Sequence, residues 1–338
     1  MPTVSVIMPM YNSVKYVKQA IESLLGQTYK DIEIIAINDG SKDGCADVVR
    51  AIEDERLIFI DRENHGFIYT LNECIKKSRG KYIARLDDDD WSYPERLEKQ
   101  VEYLESHPDT VLVGTLDDEQ TGDDIKRLLE TPVRTPEQIK YSLVFGNYAF
   151  AHSSFMMRKD VLTENGIEYE MFKQVPDYHM ISSLSRFGKI ARVQEPLVVY
   201  RIHPAQSTQV RSLQMKLGEI DRARDWYINT LDLDDEKKKA LKKGVLRKLK
   251  TKDDVRAFSA ALLEYARQCG VDEKKDRDCM RFLYENCMLT QLCCPSLLFA
   301  CSGSRNIGWL FSAKGVKFII KCIIRKNTDY LLTEVDIG

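Results

Sequence analysis

The sequence lacks the signatures that would assign it at a glance. Its nine cysteines are odd in number and no two are spaced C-x-x-C, which excludes the common zinc and thioredoxin-type arrangements. The net charge is only −2, so the overall electrostatics predict no nucleic-acid partner. No uninterrupted apolar run approaches the about 20 residues that cross a bilayer as a helix. The opening Met1-Pro2-Thr3-Val4-Ser5 has neither the basic stretch nor the apolar stretch of a secretion signal. With the odd cysteine set, that predicts a cytoplasmic protein whose thiols are reduced and buried as small apolar side chains. No G-x-G-x-x-G follows the first predicted strand, so a dinucleotide site is not supported, and no G-x-x-x-x-G-K-S/T phosphate loop occurs.

What is present is a globular composition. The chain has 338 residues, 43% hydrophobic and 30% charged, enough for one large or two ordinary domains with a sizeable core. Val4 to Pro9 and Ile32 to Ile37 are almost wholly apolar, as strands inside a parallel sheet are. Between them Val14, Val17, Ile21, Leu24 and Leu25 fall three or four apart, which predicts an amphipathic helix with Asn12 or Ser13 at its start. Helices near 45–52 and 68–78 alternate with strands at 57–60 and 81–84. That alternation predicts an α/β fold with right-handed crossovers. Polar loops then fall together at the strands' carboxyl ends: Pro9 to Asn12, Asn38 to Asp43 and Asp87 to Asp90. Open α/β sheets bind ligands at that edge.

The last of these loops is the most unusual stretch. Arg85-Leu86 leads into four successive carboxylates, Asp87 to Asp90, then Trp91-Ser92-Tyr93-Pro94. A charge run is commonly a solvated surface loop. Hard divalent cations, however, prefer carboxylate oxygens and share their shell with substrate phosphates. Both readings stay open on this stretch alone. Further on, Glu95–Glu105 reads as a helix and Val111–Gly114 as a strand. Asp117, Asp118, Asp123 and Asp124 are expected to be solvated. Met180–Phe187 reads as a helix and Val193–Tyr200 as a strand interrupted by Pro196.

In their order and spacing these pieces resemble the inverting glycosyltransferases of family 2, which have the GT-A fold. The resemblance rests on Val4 to Asn12, Ser23 to Tyr29, Asn38-Asp39-Gly40-Ser41-Lys42-Asp43, Asn64-His65-Gly66 with Leu71-Asn72, Gly80 to Asp90, and Pro94 to Leu97. It is close over about residues 1–115 and looser to about 210. It implies a GT-A catalytic domain over 1–212, with 1–115 holding a nucleotide-sugar and 116–212 the acceptor. It also implies a donor site of Pro9, Tyr11, Asn12 and Asp39, with Asp39 accepting from the uracil N3–H. Asp87 to Asp89 match the family's D-x-D. Asp89 is then the ligand of Mn²⁺ or Mg²⁺, Asp87 and Asp88 hold the ribose or a metal-bound water, and Asp90 caps the next helix or meets the ligand. Members carry a Glu-Asp pair whose Asp is the catalytic base. Here Asp177 keeps that place and Pro176 replaces the Glu. The later Tyr200-Arg201-Ile202-His203 offers His203 to the metal or the diphosphate. His152 and Trp91 are weaker candidates for the acceptor pocket.

The implied reaction is a single displacement from a UDP-sugar to a hydroxyl of a glycan or lipid-linked glycan, in the assembly of cell-surface polysaccharide or glycolipid. A nucleotidyltransferase and a non-catalytic nucleotide-sugar-binding protein on the same fold are the alternatives. After about Ser212 strand patterns cease, and 213–338 is expected to be a helical appendage. Within 314–326, Lys314, Lys317, Lys321 and Arg325 lie opposite Ile319, Ile320, Ile323 and Ile324. Such a basic amphipathic helix either packs on the catalytic domain or touches an anionic membrane surface from the cytoplasmic side.

Overall fold

The computed structural model describes residues 1–289, apart from 128–130, 147–149, 171, 173, 174, 205, 207–212 and 247. The expectations for 314–326 therefore lie outside the described residues. The chain divides into two compact units, the first Met1–Ala223 and the second beginning at Arg224.

The first unit alternates strand and helix as the apolar spacing predicts: β1 (Val4–Met10), α1 (Val17–Leu25), β2 (Ile32–Asp39), α2 (Cys45–Arg50), β3 (Leu57–Arg62), α3 (Phe67–Lys77) and β4 (Tyr82–Arg85). It continues with β5 (Trp91–Ser92), α4 (Arg96–Ser106), β6 (Thr110–Thr121), β7 (Asp124–Arg127), α5 (Pro136–Leu143), a 3-10 turn at His152–Ser154, β8 (Met156–Arg158), α6 (Lys159–Glu164), α7 (Pro176–Leu184) and β9 (Lys189–Ile202). The sheet order is β3-β2-β1-β4-β8-β6-β9-β5, with β7 paired to β6. β1 to β4 are mutually parallel, while β8 runs antiparallel to both β4 and β6.

Strands β1 and β2 are buried on both faces along their whole length. Val4, Val6, Met8 and Met10 of β1 pack with Val17, Ala20, Ile21 and Leu24 of α1 and with Leu97, Val101 and Leu104 of α4. α3 covers the opposite face of β1 and β2. Each such side chain contributes about 1.5–3 kcal/mol relative to exposure. A close approach fixes Gly80: a Cβ there would lie 2.6 Å from the backbone nitrogen of Ser5.

Register is what places the site. Met10 pairs with Asn38, and Ile7 pairs with Arg85. The carboxyl ends of β1, β2 and β4 therefore lie at one edge, and their loops meet there.

Three local expectations change. Tyr16 takes the N-cap position of α1, where Asn12 or Ser13 was expected. β6 runs to Thr121 as a pairing partner of β9, with register shifts at Leu116 where Pro196 interrupts the ladder. That longer strand carries Asp117 and Asp118 into the sheet, contrary to the expectation of solvated residues. Asp118 is 6% exposed and accepts the Tyr93 hydroxyl at 3.0 Å. Burial pushes the Asp117 carboxyl up to about 6. Asp123 and Asp124 are exposed.

The described part of the second unit is helical: α8 (Leu213–Thr230) crosses the boundary, followed by α9 (Asp235–Val245), α10 (Lys252–Cys269) and α11 (Arg277–Leu289). Asp234 caps α9 through the Lys237 N–H, and Thr251 with Asp254 forms a capping box on α10. Among the described residues Cys45, Cys74, Cys269 and Cys279 are buried and form no disulfide. No described helix is long and apolar enough to cross a membrane.

Candidate active site

The Pro9 to Asn12 turn is tied to the other two loops by its backbone. The Tyr11 N–H donates to Asp88 Oδ2 at 2.8 Å, and the Asn12 N–H donates to Ser41 Oγ at 2.9 Å. Asn12 has a φ of 54°, a left-handed conformation that asparagine tolerates. Its Oδ1 accepts the Lys42 N–H at 2.9 Å. Tyr11 is exposed, so its ring faces solvent at the loop edge.

Asp39, at the end of β2, is 4% exposed. Its Oδ1 accepts the His65 N–H at 2.8 Å and is paired with Arg62. Its Oδ2 accepts the Gly66 N–H at 2.9 Å. A carboxylate oxygen offers about two acceptor positions, so among the described residues one remains on Oδ2 and none on Oδ1. Gly40 beside it has a φ of 74°, and a Cβ there would meet the Asn64 nitrogen at 2.7 Å. Glycine is required by that turn.

The four aspartates are sharply different. Asp87 is clamped by the buried Arg85 guanidinium, one contact being Nη1 to Oδ2 at 2.9 Å. Ser153 Oγ also donates to Asp87 Oδ2 at 2.9 Å and lies in hydrogen-bond contact with Asp90. Asp90 is fully buried and its Oδ1 accepts the Arg201 N–H at 2.9 Å. It does not cap a helix: Glu95 takes the N-cap position of α4. Asp89 Oδ2 lies 3.0 Å from His203 Nε2, and Asp89 O accepts Arg201 Nη1 at 2.7 Å. The exit of β4 is held by Arg96, whose Nη2 donates to the Arg85 carbonyl at 2.6 Å.

Carboxylate oxygens of Asp87, Asp89 and Asp90 all lie within 4.8 Å of one another. Burial, then the charge of Asp89, pushes the Asp88 carboxyl up to about 8. Burial and neighbouring carboxylates also raise Asp89 and, further, Asp90. Within the trio and among the described residues, Asp87 and Asp90 are held on both side-chain oxygens by protein donors, whereas the Asp89 carboxylate is engaged by another residue only at Oδ2. Hard carboxylate oxygens with one imidazole are a donor set that suits Mn²⁺ or Mg²⁺, and the residues present fit such an ion.

On the other side of Arg85, His152 Nε2 is 2.7 Å from the Tyr169 hydroxyl. Burial, helped by Arg85, holds the His152 imidazole well below its ordinary value and hence neutral. Asn72 grips Tyr169 at both backbone groups, at 2.9 and 2.8 Å. Asp177 stands in the first turn of α7, with Pro176 before it and Val175 at the N-cap position. Proline suits that first turn, because its missing N–H would have no partner in the helix. The Asp177 Oδ1 accepts the Tyr178 N–H at 2.8 Å. Trp91 donates its Nε1–H to Gln120 Oε1 at 2.9 Å and packs edge-on to Tyr93.

The structure thus gathers Tyr11, Asn12, Asp39 and Asp87 to Asp89 at one sheet edge, with His203 joined to Asp89. Four residues that sequence reasoning assigned no role complete it: Arg85, Ser153, Arg201 and Tyr16. Arg201 carried a signal, two positions before His203 in the Tyr200-Arg201-Ile202-His203 stretch just after a predicted strand. Ser153 carried only its place beside His152.

This architecture, a mixed sheet with an acidic loop and two further polar loops at one edge, is the GT-A fold. It is shared with residues 1–349 of S. aureus TarS in complex with UDP-GlcNAc, at 19% identity and a TM-score of 0.60 over 86% of this chain and 93% of that one. It is shared also with the mannosyltransferase PcManGT from Pyrobaculum calidifontis in complex with GDP-Man and Mn²⁺, at 15% identity and a TM-score of 0.54 over 92% and 88%. The chain belongs to glycosyltransferase family 2 and is of the bacterial type: the model described as "Glycosyl transferase family 2" matches residues 5–166. An uncharacterized glycosyltransferase of Haemophilus influenzae is 31% identical over 252 residues, 69% of this chain and 76% of that protein. One from Rickettsia prowazekii is 32% identical over 219 residues, 64% and 69% respectively.

Proposed function

We propose that this enzyme moves a sugar from a UDP-sugar to an acceptor hydroxyl with inversion, by a single displacement carried out in residues 1–212. The observation that carries the reading is the 3.0 Å contact of His203 with Asp89, at the same sheet edge as Asp39, whose carboxylate has one acceptor position open among the described residues. A uracil presents one N–H at N3, which one open position on Asp39 Oδ2 suits. Pro9, Tyr11 and Asn12 line the same base and ribose site, and Asp88, held by the Tyr11 N–H, completes it with Asp87. The TarS complex with UDP-GlcNAc agrees with this class of donor.

Asp89 and His203 would hold Mn²⁺ or Mg²⁺, and the PcManGT complex holds Mn²⁺. When bound, the ion neutralises charge on the departing diphosphate. The protein's own residues do the rest. Asp177 takes the proton from the acceptor hydroxyl as that oxygen bonds to the anomeric carbon. The bond from that carbon to the diphosphate oxygen breaks, and UDP carries away the electron pair. Attack from the face opposite the leaving group inverts the centre. His152, kept neutral, and Trp91 are assigned to the acceptor side. The acceptor is taken to be a glycan or lipid-linked glycan in cell-surface polysaccharide or glycolipid assembly, reached at the cytoplasmic face of the membrane.

The test is a panel of nucleotide-sugars assayed for binding and slow hydrolysis with Mn²⁺ or Mg²⁺. UDP-sugars are expected to bind and GDP-sugars to bind more weakly. Absence of any metal-dependent nucleotide-sugar binding would overturn the reading.

A further inference from the structure

The residues assigned to the metal cannot hold themselves in place. Asp89 sits among carboxylates that repel it, and His203 follows the last residue of β9. One side chain on a different element contacts both supports. The ring of Tyr16, at the N-cap position of α1, lies 4.6 Å from the His203 ring between centroids, tilted by 35°. The same ring carries the Arg201 guanidinium at 5.1 Å from its centroid. Arg201, near the end of β9, and His203, just after it, thus both rest on Tyr16. Arg201 then reaches back, with Nη1 donating to the Asp89 carbonyl at 2.7 Å and Nη2 to Gln19 of α1. Its own N–H is held by Asp90 Oδ1 at 2.9 Å.

We propose that Tyr16 and Arg201 are positioning residues that form an aromatic brace, with α1 as its footing, which aims His203 Nε2 and the Asp89 side chain at a shared divalent cation. The stack restricts rotation of the imidazole, and the guanidinium fixes the Asp89 carbonyl and with it the direction of the Cα–Cβ bond. Both contacts use the face of the tyrosine ring rather than its hydroxyl. The brace rests on the metal reading given above, but its geometry is present without the ion.

Two measurements separate the brace from that reading. In the first, Mn²⁺ is titrated into the full chain with UDP present, and free Mn²⁺ is followed by electron paramagnetic resonance. Y16F keeps the ring and is expected to match the unsubstituted protein. Y16L and R201K are expected to bind roughly 10- to 100-fold more weakly, the usual loss when an outer support of a metal ligand is removed. In the second, the imidazole ¹⁵N signals of His203 are recorded without metal. They are expected to move in Y16L and to stay in place in Y16F. If Y16L binds Mn²⁺ as the unsubstituted protein does and its His203 signals do not move, the brace is overturned. If the unsubstituted protein and D89N are alike in taking up no Mn²⁺, the metal reading falls, and the metal-free His203 signals alone decide the brace.

Discussion

His203 Nε2 stands 3.0 Å from Asp89 Oδ2, although 114 positions separate them in the chain. The contact joins the residue after β9 to the loop after β4, so the two halves of the sheet share one polar cluster. Asp89→Asn and His203→Gln are each expected to lower kcat/KM by roughly 100-fold, about 2.7 kcal/mol in the barrier. Because the side chains touch, the double substitution should cost less than the sum of the two. Steady-state kinetics across a Mn²⁺ titration checks this, and fully additive losses would argue against a shared role.

Asp177→Asn removes the proposed base and leaves the donor loops intact. Nucleotide-sugar affinity is expected to stay within about twofold, while transfer falls by roughly 10²–10⁴-fold, the usual contribution of a positioned base. Calorimetry of donor binding and a single-turnover transfer assay separate the two effects. Transfer at the unsubstituted rate would remove Asp177 from the mechanism.

Glu33 ties the amino-terminal edge of the sheet together. Its carboxylate accepts Ser5 Oγ at 2.5 Å and the Arg79 N–H and Nε–H at 2.8 and 2.7 Å. Burial alone would raise this carboxyl, but those hydrogen bonds outweigh it and hold the group below the ordinary glutamate value of 4.5. Its stabilising contribution is therefore fully present above about pH 4.5 and is lost as pH falls through the lowered folded-state value. Glu33→Gln should destabilise the fold by about 1–3 kcal/mol at pH 7 and by less at pH 3. Urea unfolding at the two pH values measures the difference; an equal loss at both would contradict the assignment.

Cys74 on α3 is fully buried, and burial, with Glu73 beside it, pushes its thiol up to about 12. The thiolate is the reactive form. Iodoacetamide at pH 8 should therefore leave Cys74 unlabelled in the native protein and label it in urea, as read by peptide mass spectrometry. Rapid native labelling would show that α3 opens readily.

Much of the fold was legible because its causes are local. Apolar runs bounded by turn residues give buried parallel strands, and three-four spacing gives the helices between them. The departures are equally physical. Asp117 and Asp118 read as solvated because charge in a polar stretch usually is, but pairing with β9 draws them into the sheet. Asn12 and Ser13 are good helix-capping residues, yet Asn12 is committed to Ser41 and Lys42 across the loop gap.

The order and spacing of the chain alone determined the family, the sheet edge where the polar loops meet, and the acidic run. Only the tertiary structure distinguished the four aspartates from one another. In sequence they are equivalent neighbours. Arg85 and Ser153 neutralise and hold Asp87, the Arg201 N–H and Ser153 bury Asp90, and the Tyr11 N–H takes Asp88. Asp89 is left facing His203. These partners come from four separate stretches of chain, and their convergence depends on strand register and helix packing rather than on any local spacing.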